Sequence, residues 1–341
     1  MRDIRRLIDA IQTTVQTHAL GKPGEYARWL WQNPAGDRKL GLNEYGCADA
    51  ANILYTVNNF PKDPALRAQY VSVLQSMQDP DTGLFQENTH HFIHTTAHCT
   101  AALELFDAQP LYPFRGLDRY KTPQGVTNLL ESLDWHHRPW PESHKGAGIY
   151  AALKLNGETT PEWEDAYFSW LWDNADPVCG FWKKGVIRLE SDQLFAFMGG
   201  GFHYLFNLEY ARMPLRYPER IIDVCLDLYH NKRIGDKTGA YDNEKFGQYI
   251  GFLEIDWLFS ITRSLRQCGH RRNECMEAIR EFADDYLDWL ESLDYETHDG
   301  FNDLHMLFGT CCALAELQSA LPGRIRTEKP LRLVLDRRPF I

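Results

Sequence analysis

The densest group of ionisable side chains in the chain is a set of closely spaced histidines. They are His90, His91, His94 and His98. The last three are spaced so that they share one face of a helix. An imidazole titrates near neutral pH and can therefore move protons in catalysis. The same rings could instead bind a metal ion with Glu87 or another carboxylate, or they could have a structural role. No metal ligand is assigned here and no cofactor is expected.

Carboxyl groups near the starts of predicted apolar helices form a second set of candidates. Cleavage of a glycosidic bond usually needs two carboxyl groups, one acting as acid and the other as base or nucleophile. A carboxylate paired with a histidine could also move a proton. The candidate catalytic residues are Asp49, Glu44, Glu254 and Asp256, together with His94 and His98.

These residues belong to a turn-plus-helix unit that recurs about six times, at intervals of roughly 40 to 60 residues. The clearest copy is the turn at residues 78–85, followed by a helical run at 91–106. Further copies are centred on Gly180 and Gly300, and weaker ones on Gly41, on Gly239 and on the Trp-Pro pair at 140–141. One helical hairpin per unit, closed into a ring, predicts an all-α fold, an (α/α)6 toroid. A single domain over residues 1–341 is expected.

Two kinds of helix alternate in this pattern. The helices before the turns, at 64–77, 124–133, 161–172, 218–231 and 273–293, are amphipathic and should form the outer ring. Those after the turns, such as 97–105, 146–155 and 309–317, are apolar around most of their circumference and rich in small residues. Such helices are buried, so we expect them to form the inner ring.

The residues that follow each turn should therefore face one central cavity. They are unusually polar for helices otherwise so apolar, and burying them without a purpose would be costly. Three glycines at 199–201 precede His203 and permit close approach of a helix or a ligand. Lys184 or Arg188 could bind an acidic group of the substrate. The candidate substrate-binding residues are Tyr45, Glu87, His91, Trp140, His144, Lys184, Arg188, His203, Asp242, Tyr249, Asn302, Asp303 and His305.

The unit at residues 70–85, with its Gln…Gly-x-aromatic turn, resembles the repeats of two groups of toroid proteins. One comprises the squalene cyclases and protein prenyltransferases. The other comprises the (α/α)6 glycosidases, notably the unsaturated uronyl hydrolases, and related sugar epimerases. Both resemblances imply an active site in the cavity between the inner helices, and the epimerases are known for paired histidines that move a proton on and off a carbon.

The signature motifs of the isoprenoid enzymes are poorly matched. The Asp-x-Asp-Asp acid motif of terpene cyclases is approached only by Asp-Pro-Asp-Thr at 79–82, inside a turn. The Asp-x-Cys zinc pair of prenyltransferases is matched only at Asp223 and Cys225, on a predicted outer helix. A surface acid beside a packed thiol is the simpler interpretation of that pair.

The leading functional expectation is a carbohydrate-active enzyme. It would be a glycoside hydrolase acting on a small uronic or neutral glycoside, or a sugar epimerase. The 10 Trp, 16 Tyr and 18 Phe residues could supply stacking faces for sugars. The alternatives are an isoprenoid cyclase or isomerase with an acid in an aromatic pocket, and a non-catalytic toroidal scaffold.

Composition limits the partners. A net charge of −11 argues against binding to nucleic acid or to an anionic membrane. The basic stretches at 263–272 and 324–338 are interpreted as solvated surface. The charged start of the chain, the lack of an 18-residue apolar run and eight cysteines without a CxxC pair suggest a cytoplasmic protein with reduced thiols. A small-molecule substrate is expected, and a homo-oligomer is possible.

Overall fold

The computed structural model describes residues 1–233 and 245–341, and it confirms the all-α class. Within these residues the chain forms thirteen α-helices. They are α1 (Arg5–Thr17), α2 (Glu44–Thr56), α3 (Pro64–Ser76), α4 (Phe92–Leu105), α5 (Pro123–Ser132), α6 (Pro139–Leu155), α7 (Pro161–Asn174), α8 (Leu194–Tyr210), α9 (Pro218–His230), α10 (Leu253–Gln267), α11 (Arg272–Ser292), α12 (Asp299–Asn302) and α13 (Leu304–Ala320). Two short parallel strands, β1 (Arg2–Asp3) and β2 (Ile325–Arg326), pair near the two ends of the chain.

Six of these helices contact one another in a closed cycle. Helix α2 packs against α4, α4 against α6, and α6 against α8. Helix α8 then packs against α10, α10 against α13, and α13 back against α2. We call α2, α4, α6, α8, α10 and α13 the cycle helices. Other helices contact the cycle at one or two members: α3 packs on α2 and α4, and α9 packs on α8 and α10.

Small residues let the cycle helices approach closely. A Cβ atom on Gly200 of α8 would lie 2.8 Å from the carbonyl oxygen of Pro139, and one on Gly201 would lie 2.2 Å from the ring of Phe181. In α2, Ala48, Ala50 and Ala51 are completely buried. The close approach predicted from the glycine run is therefore confirmed, and it involves the protein's own backbone and side chains.

Two of the predicted turns have the same pattern of hydrogen bonds. The amide of Gly83 donates to the carbonyl of Asp79 at 2.8 Å, and the amide of Gly180 donates to that of Asp176 at 2.7 Å. Both glycines have a positive φ, 75° and 82°, which glycine adopts without the strain that a Cβ causes. In each turn the aspartate carboxylate also accepts a backbone N–H two residues later. The repeat seen in the sequence is thus a structural repeat at these two sites.

Other copies of the unit differ. Gly300 lies inside the short helix α12 rather than in an open turn. The segment expected to turn at 138–141 is instead the start of α6, because proline is compatible with the first position of a helix. The copy centred on Gly239 lies outside the described residues.

The five helices that were predicted to precede turns have nearly the same first and last residues as the observed α3, α5, α7, α9 and α11. The helical run predicted at 91–106 is observed as α4, and the apolar stretches at 146–155 and 309–317 form the later parts of α6 and α13, which begin at Pro139 and Leu304. The first turns of these helices contain polar candidates such as His94 and His305.

The last described segment, Arg338 to Ile341, is buried among the cycle helices. Arg338 Nη2 donates to Asn52 Oδ1 at 2.7 Å, near the end of α2. The Phe340 ring lies 4.9 Å from that of His94 and 5.6 Å from that of Phe206. This segment fills space between the cycle helices that an open toroid would leave empty.

All eight cysteines are free, and seven of them are buried. The outer-helix pair behaves as interpreted: Asp223 accepts from Arg271 at the surface, while Cys225 is packed inside. Among the described residues, no helix has the length and apolar character needed to cross a membrane.

Candidate active site

Every cycle helix contributes at least one titratable side chain to one buried group. We call this group the histidine cluster. Its members are Tyr45 and Asp49 from α2, His94 and His98 from α4, Trp140 and His144 from α6, His203 from α8, Asp256 from α10, His305 from α13, and His90 just before α4. Residues far apart in sequence therefore meet at the centre of the cycle.

The imidazole rings form a continuous set of contacts. The rings of His94 and His144 lie 4.5 Å apart, and those of His144 and His203 lie 4.9 Å apart. His90 lies 4.7 Å from His94 and 5.1 Å from His305. Protons could be exchanged within this set, or between it and a small molecule bound beside it.

Asp49 connects two of the histidines. Its Oδ1 accepts from His98 Nε2 at 2.8 Å, and its Oδ2 accepts from His305 Nδ1 at 3.0 Å. Burial by itself would raise the pKa of Asp49, but the two imidazoles hold that pKa below its usual range. The ring of Tyr45 stacks on His98 at 4.8 Å and meets His305 edge-on at 4.6 Å. The carboxylate and the tyrosine together fix the orientation of both rings.

Hydrogen bonds assign the tautomer of His203. The Ser143 hydroxyl donates to the carbonyl of Trp140 at 2.5 Å, so it accepts from His203 Nδ1 at 2.9 Å. His203 Nε2 is then left with a lone pair. The Tyr45 hydroxyl and His94 Nδ1 share a hydrogen bond of 2.6 Å.

The same reasoning applies to His90. The Thr89 hydroxyl donates to Glu87 Oε2 at 2.5 Å and accepts from Arg28 Nη1 at 2.8 Å. It must therefore also accept from His90 Nδ1, which lies 2.7 Å away. His90 Nε2 is thus a second ring nitrogen with a lone pair.

Burial keeps these imidazoles neutral. It lowers the pKa of His90 to about 4 and that of His203 to about 3. It lowers the pKa of His94 and His144 well below the usual value, and neighbouring imidazoles lower them further. A neutral imidazole can accept a proton at one nitrogen and donate one at the other, so the cluster offers both bases and donors at neutral pH.

Asp256 has the opposite protonation preference. It is completely buried, and burial raises its pKa well above the usual value although Trp140 opposes the shift. Trp140 Nε1 donates to Asp256 Oδ2 at 3.2 Å, and the Trp140 ring lies 4.6 Å from His144. The cluster therefore combines a neutral carboxylic acid with neutral imidazole bases.

Access to the cluster is possible on the side of the helix starts. The side chain of His90 is 14% exposed, and Trp140 and Tyr249 are also partly exposed. Phe340 covers His94 from within the cycle. A separate cavity of about 1020 Å³, lined by residues of α10, α11 and α13 such as Arg266, is not lined by these histidines.

Several sequence candidates have other roles. His91 caps α4, since its Nδ1 accepts from the amide of Ile93 at 3.2 Å. Asn302 holds the segment before α2, because its Oδ1 accepts from the amides of Leu30 and Trp31 at 2.7 and 3.0 Å. These contacts occupy polar groups that were predicted to bind substrate.

The acidic candidates outside the cluster are also engaged. Glu87 accepts from Thr89, and Asp303 forms a buried ion pair with Arg28. Glu254 is completely buried and accepts from the amide of Gly247 at 3.1 Å. Glu44 is half-buried at the start of α2, and burial raises its pKa.

Lys184 and Arg188 are exposed, and among the described residues no contact joins them to the histidine cluster. Their predicted role in binding an acidic group has no support from their position. Asp242 lies outside the described residues.

The sequence interpretation missed two buried arginines in its basic stretches. Arg263 is 1% exposed and pairs with Glu316 at 2.8 Å, and Arg338 is completely buried. The expectation of solvated surface is wrong at these two positions. Arg28 was missed as well, because it lies in a segment without helical periodicity. No local signal marks these residues, since each is buried by elements distant in sequence.

No protein-family model, no curated protein and no solved structure matches this chain.

Proposed function

We propose that the chain is an (α/α)6 toroid and that the histidine cluster is the acid–base active site of a carbohydrate-active enzyme. The cycle helices would be the inner ring of this toroid. The reaction that fits the cluster best is epimerisation of a sugar. The observation that carries this proposal is the presence of neutral imidazole bases and a neutral carboxylic acid in one buried group.

Epimerisation needs one group that removes a proton from carbon and another that returns one. An imidazole lone pair, such as Nε2 of His203 or His90, would take the proton from a carbon next to a carbonyl, and the electron pair would move onto the carbonyl oxygen. The carboxyl proton of Asp256 or the ring N–H proton of His94 would then be delivered to the other face of that carbon. The substrate gains and loses one proton, so no co-reactant is required.

Hydrolysis of a glycoside is less well supported, because it needs a second carboxylate placed against the substrate. Both oxygens of Asp49 accept from imidazoles, and Glu254 accepts from the amide of Gly247. Asp256 could act as the acid, but in the part of the chain that the structure describes these contacts leave it without an evident carboxylate partner.

The cluster suits a neutral sugar better than an anionic substrate. Neutral imidazoles can both donate to and accept from hydroxyl groups, and Tyr45 and Trp140 contribute aromatic faces. The guanidinium group of Arg28, 5.3 Å from the Tyr45 ring, is already paired with Asp303, and Arg338 donates to Asn52.

Isotope incorporation tests this proposal. Neutral mono- and disaccharides would be incubated with the protein in D₂O and, separately, in H₂¹⁸O. An epimerase incorporates deuterium at carbon and yields a second epimer, whereas a hydrolase incorporates ¹⁸O. We expect His94→Gln and Asp256→Asn to lower the rate by about 100- to 10,000-fold, while the exposed His137→Gln serves as the control. Incorporation of ¹⁸O without deuterium would overturn the proposal.

One observation favours a second candidate, an isoprenoid cyclase. A neutral carboxylic acid beside an indole, as in the Asp256–Trp140 pair, suits protonation of an alkene and stabilisation of the resulting cation. Prenyl alcohols included in the D₂O experiment separate the two. Deuterium in a cyclised prenyl product, with none in any sugar, would favour this candidate.

A further inference from the structure

Three residues of the histidine cluster form a compact set of metal-binding side chains. Asp49 Oδ1 lies 2.8 Å from His98 Nε2, and Asp49 Oδ2 lies 3.0 Å from His305 Nδ1. These ligand atoms all lie within 4.8 Å of one another. The three residues come from α2, α4 and α13, which are neighbours in the cycle. We call Asp49, His98 and His305 the aspartate–histidine triad.

The charge of Asp49 needs compensation. Its side chain is completely buried, and a buried carboxylate is stable only when it is paired or binds a metal ion. Arg28 and Arg338 interact with Asp49 only over a distance, since Arg28 is paired with Asp303 and Arg338 donates to Asn52. Among the described residues, the only direct partners of Asp49 are the two imidazoles.

We infer that the aspartate–histidine triad is a binding site for a divalent transition-metal ion such as Zn²⁺. Two imidazole nitrogens and one carboxylate oxygen suit Zn²⁺ or a related ion, whereas Ca²⁺ and Mg²⁺ prefer sites made of oxygen atoms. Bonds of about 2.0–2.2 Å are typical for these ligands, so modest movements of the side chains would close the site around an ion.

Catalytic zinc sites have three protein ligands and keep a fourth position for water or substrate, whereas structural zinc sites have four protein ligands. The ring orientations are already constrained. Tyr45 stacks on His98, Phe308 lies 6.1 Å from the same ring, and Phe252 lies 4.7 Å from His305. Such packing holds ligands in place and lowers the conformational cost of binding the ion.

The sequence left metal binding by the histidines open and assigned no ligand, so the inference goes beyond it by naming the three residues. The three residues belong to the histidine cluster but carry none of the proton transfers proposed for epimerisation, and the test of metal binding contains no substrate. Loss of one proposal would therefore leave the other standing.

Metal binding by the full-length protein provides the test. After treatment with a chelator and its removal, the protein would be titrated with Zn²⁺ and with Co²⁺. We expect one ion per chain and, with Co²⁺, visible absorption typical of a nitrogen- and oxygen-ligated site. At a free-ion concentration about a hundredfold above Kd, the Tm should rise by about 4 °C.

Variants identify the site. Asp49→Asn, His98→Gln and His305→Gln should each abolish stoichiometric binding. His144→Gln, which removes a buried histidine of the same cluster that is not a ligand, should leave it unchanged. Circular dichroism checks that each variant folds. His305 is the least deeply buried of the three proposed ligands, so His305→Gln should disturb folding least. Failure of the wild-type protein to take up either ion, or equal uptake by wild type and a folded His305→Gln, would overturn the inference.

Discussion

Replacing Asp303 by asparagine should destabilise the fold, because this residue anchors the segment before α2 to the start of α13. Its carboxylate accepts from Arg28 Nε at 2.9 Å and Nη2 at 3.1 Å, and from Trp29 Nε1 at 2.8 Å. Arg28 and Asp303 are only 5% and 7% exposed. Burial alone would raise the pKa of Asp303, but Arg28 holds that pKa below its usual value.

The size of the effect follows from burial. Removing one partner of a buried ion pair costs about 3–5 kcal/mol, because the other charge is left without compensation. An unfolding entropy of about 2.1 cal/mol/K per residue gives about 0.7 kcal/mol/K for 341 residues. The Tm of Asp303→Asn should therefore fall by about 4–7 °C, and by the lower figure if the amide oxygen still accepts from Arg28.

Thermal unfolding at pH 7 measures this shift. Asp299→Asn is the matched control, since Asp299 also pairs with an arginine, Arg38, but its side chain is 61% exposed. An exposed pair contributes at most about 1 kcal/mol, so the control should lose about 1 °C. A drop for Asp303→Asn no larger than that of the control would refute the reasoning. Weaker substrate binding at unchanged Tm would instead support the role predicted from the sequence.

Two further predictions concern the histidine cluster. A Cβ atom on Gly199 would lie 2.8 Å from Asp256 Oδ2, so Gly199→Ala should cost about 1–3 kcal/mol and reduce turnover, unlike Gly269→Ala, which meets nothing within 4 Å. Equal Tm values would contradict this. Because the pKa values of His90 and His203 fall to about 4 and about 3, the unfolded state binds more protons below pH 6.5. The free energy of unfolding should therefore decrease as the pH falls from about 6.5 towards 4, with a shallower slope in His203→Gln; a flat profile in wild type would contradict it.

The sequence predicts the helices well where side chains follow a period. The helix expected at 64–77 is observed as Pro64–Ser76, and that at 161–172 as Pro161–Asn174, because amphipathic periodicity and a first-turn proline are local signals. In the cycle, the helical run expected at 91–106 is observed as Phe92–Leu105, whereas α6 begins at Pro139, where a turn was expected. The burial of polar residues such as His94 and His144 depends on neighbours in other helices, which no local window contains.

The residues of the candidate site were predicted from the sequence, but their contacts were not. Asp49, His98 and His305 were identified as polar residues on apolar helices, and they do meet. Their pairing could not be predicted, since 256 positions separate Asp49 from His305 and the contact exists only because α13 packs against α2. Lys184 was selected because it follows the turn at Gly180 and carries a charge, and these two signals do not distinguish a cavity from the surface.

The histidine cluster contains two chemically different halves. Asp49, an ionised acid with two imidazoles, lies where α2, α4 and α13 meet, and its partners can exchange protons for a metal ion. Asp256, a neutral acid, lies with the histidines of α6 and α8. His94 contacts both halves, since its ring lies 6.2 Å from His98 and 4.5 Å from His144. The two acids differ in charge because imidazole N–H groups stabilise the first, whereas an indole N–H is the one side-chain donor to the second among the described residues. A substrate bound beside His94 would therefore meet an ion-binding triad on one side and proton-transfer groups on the other.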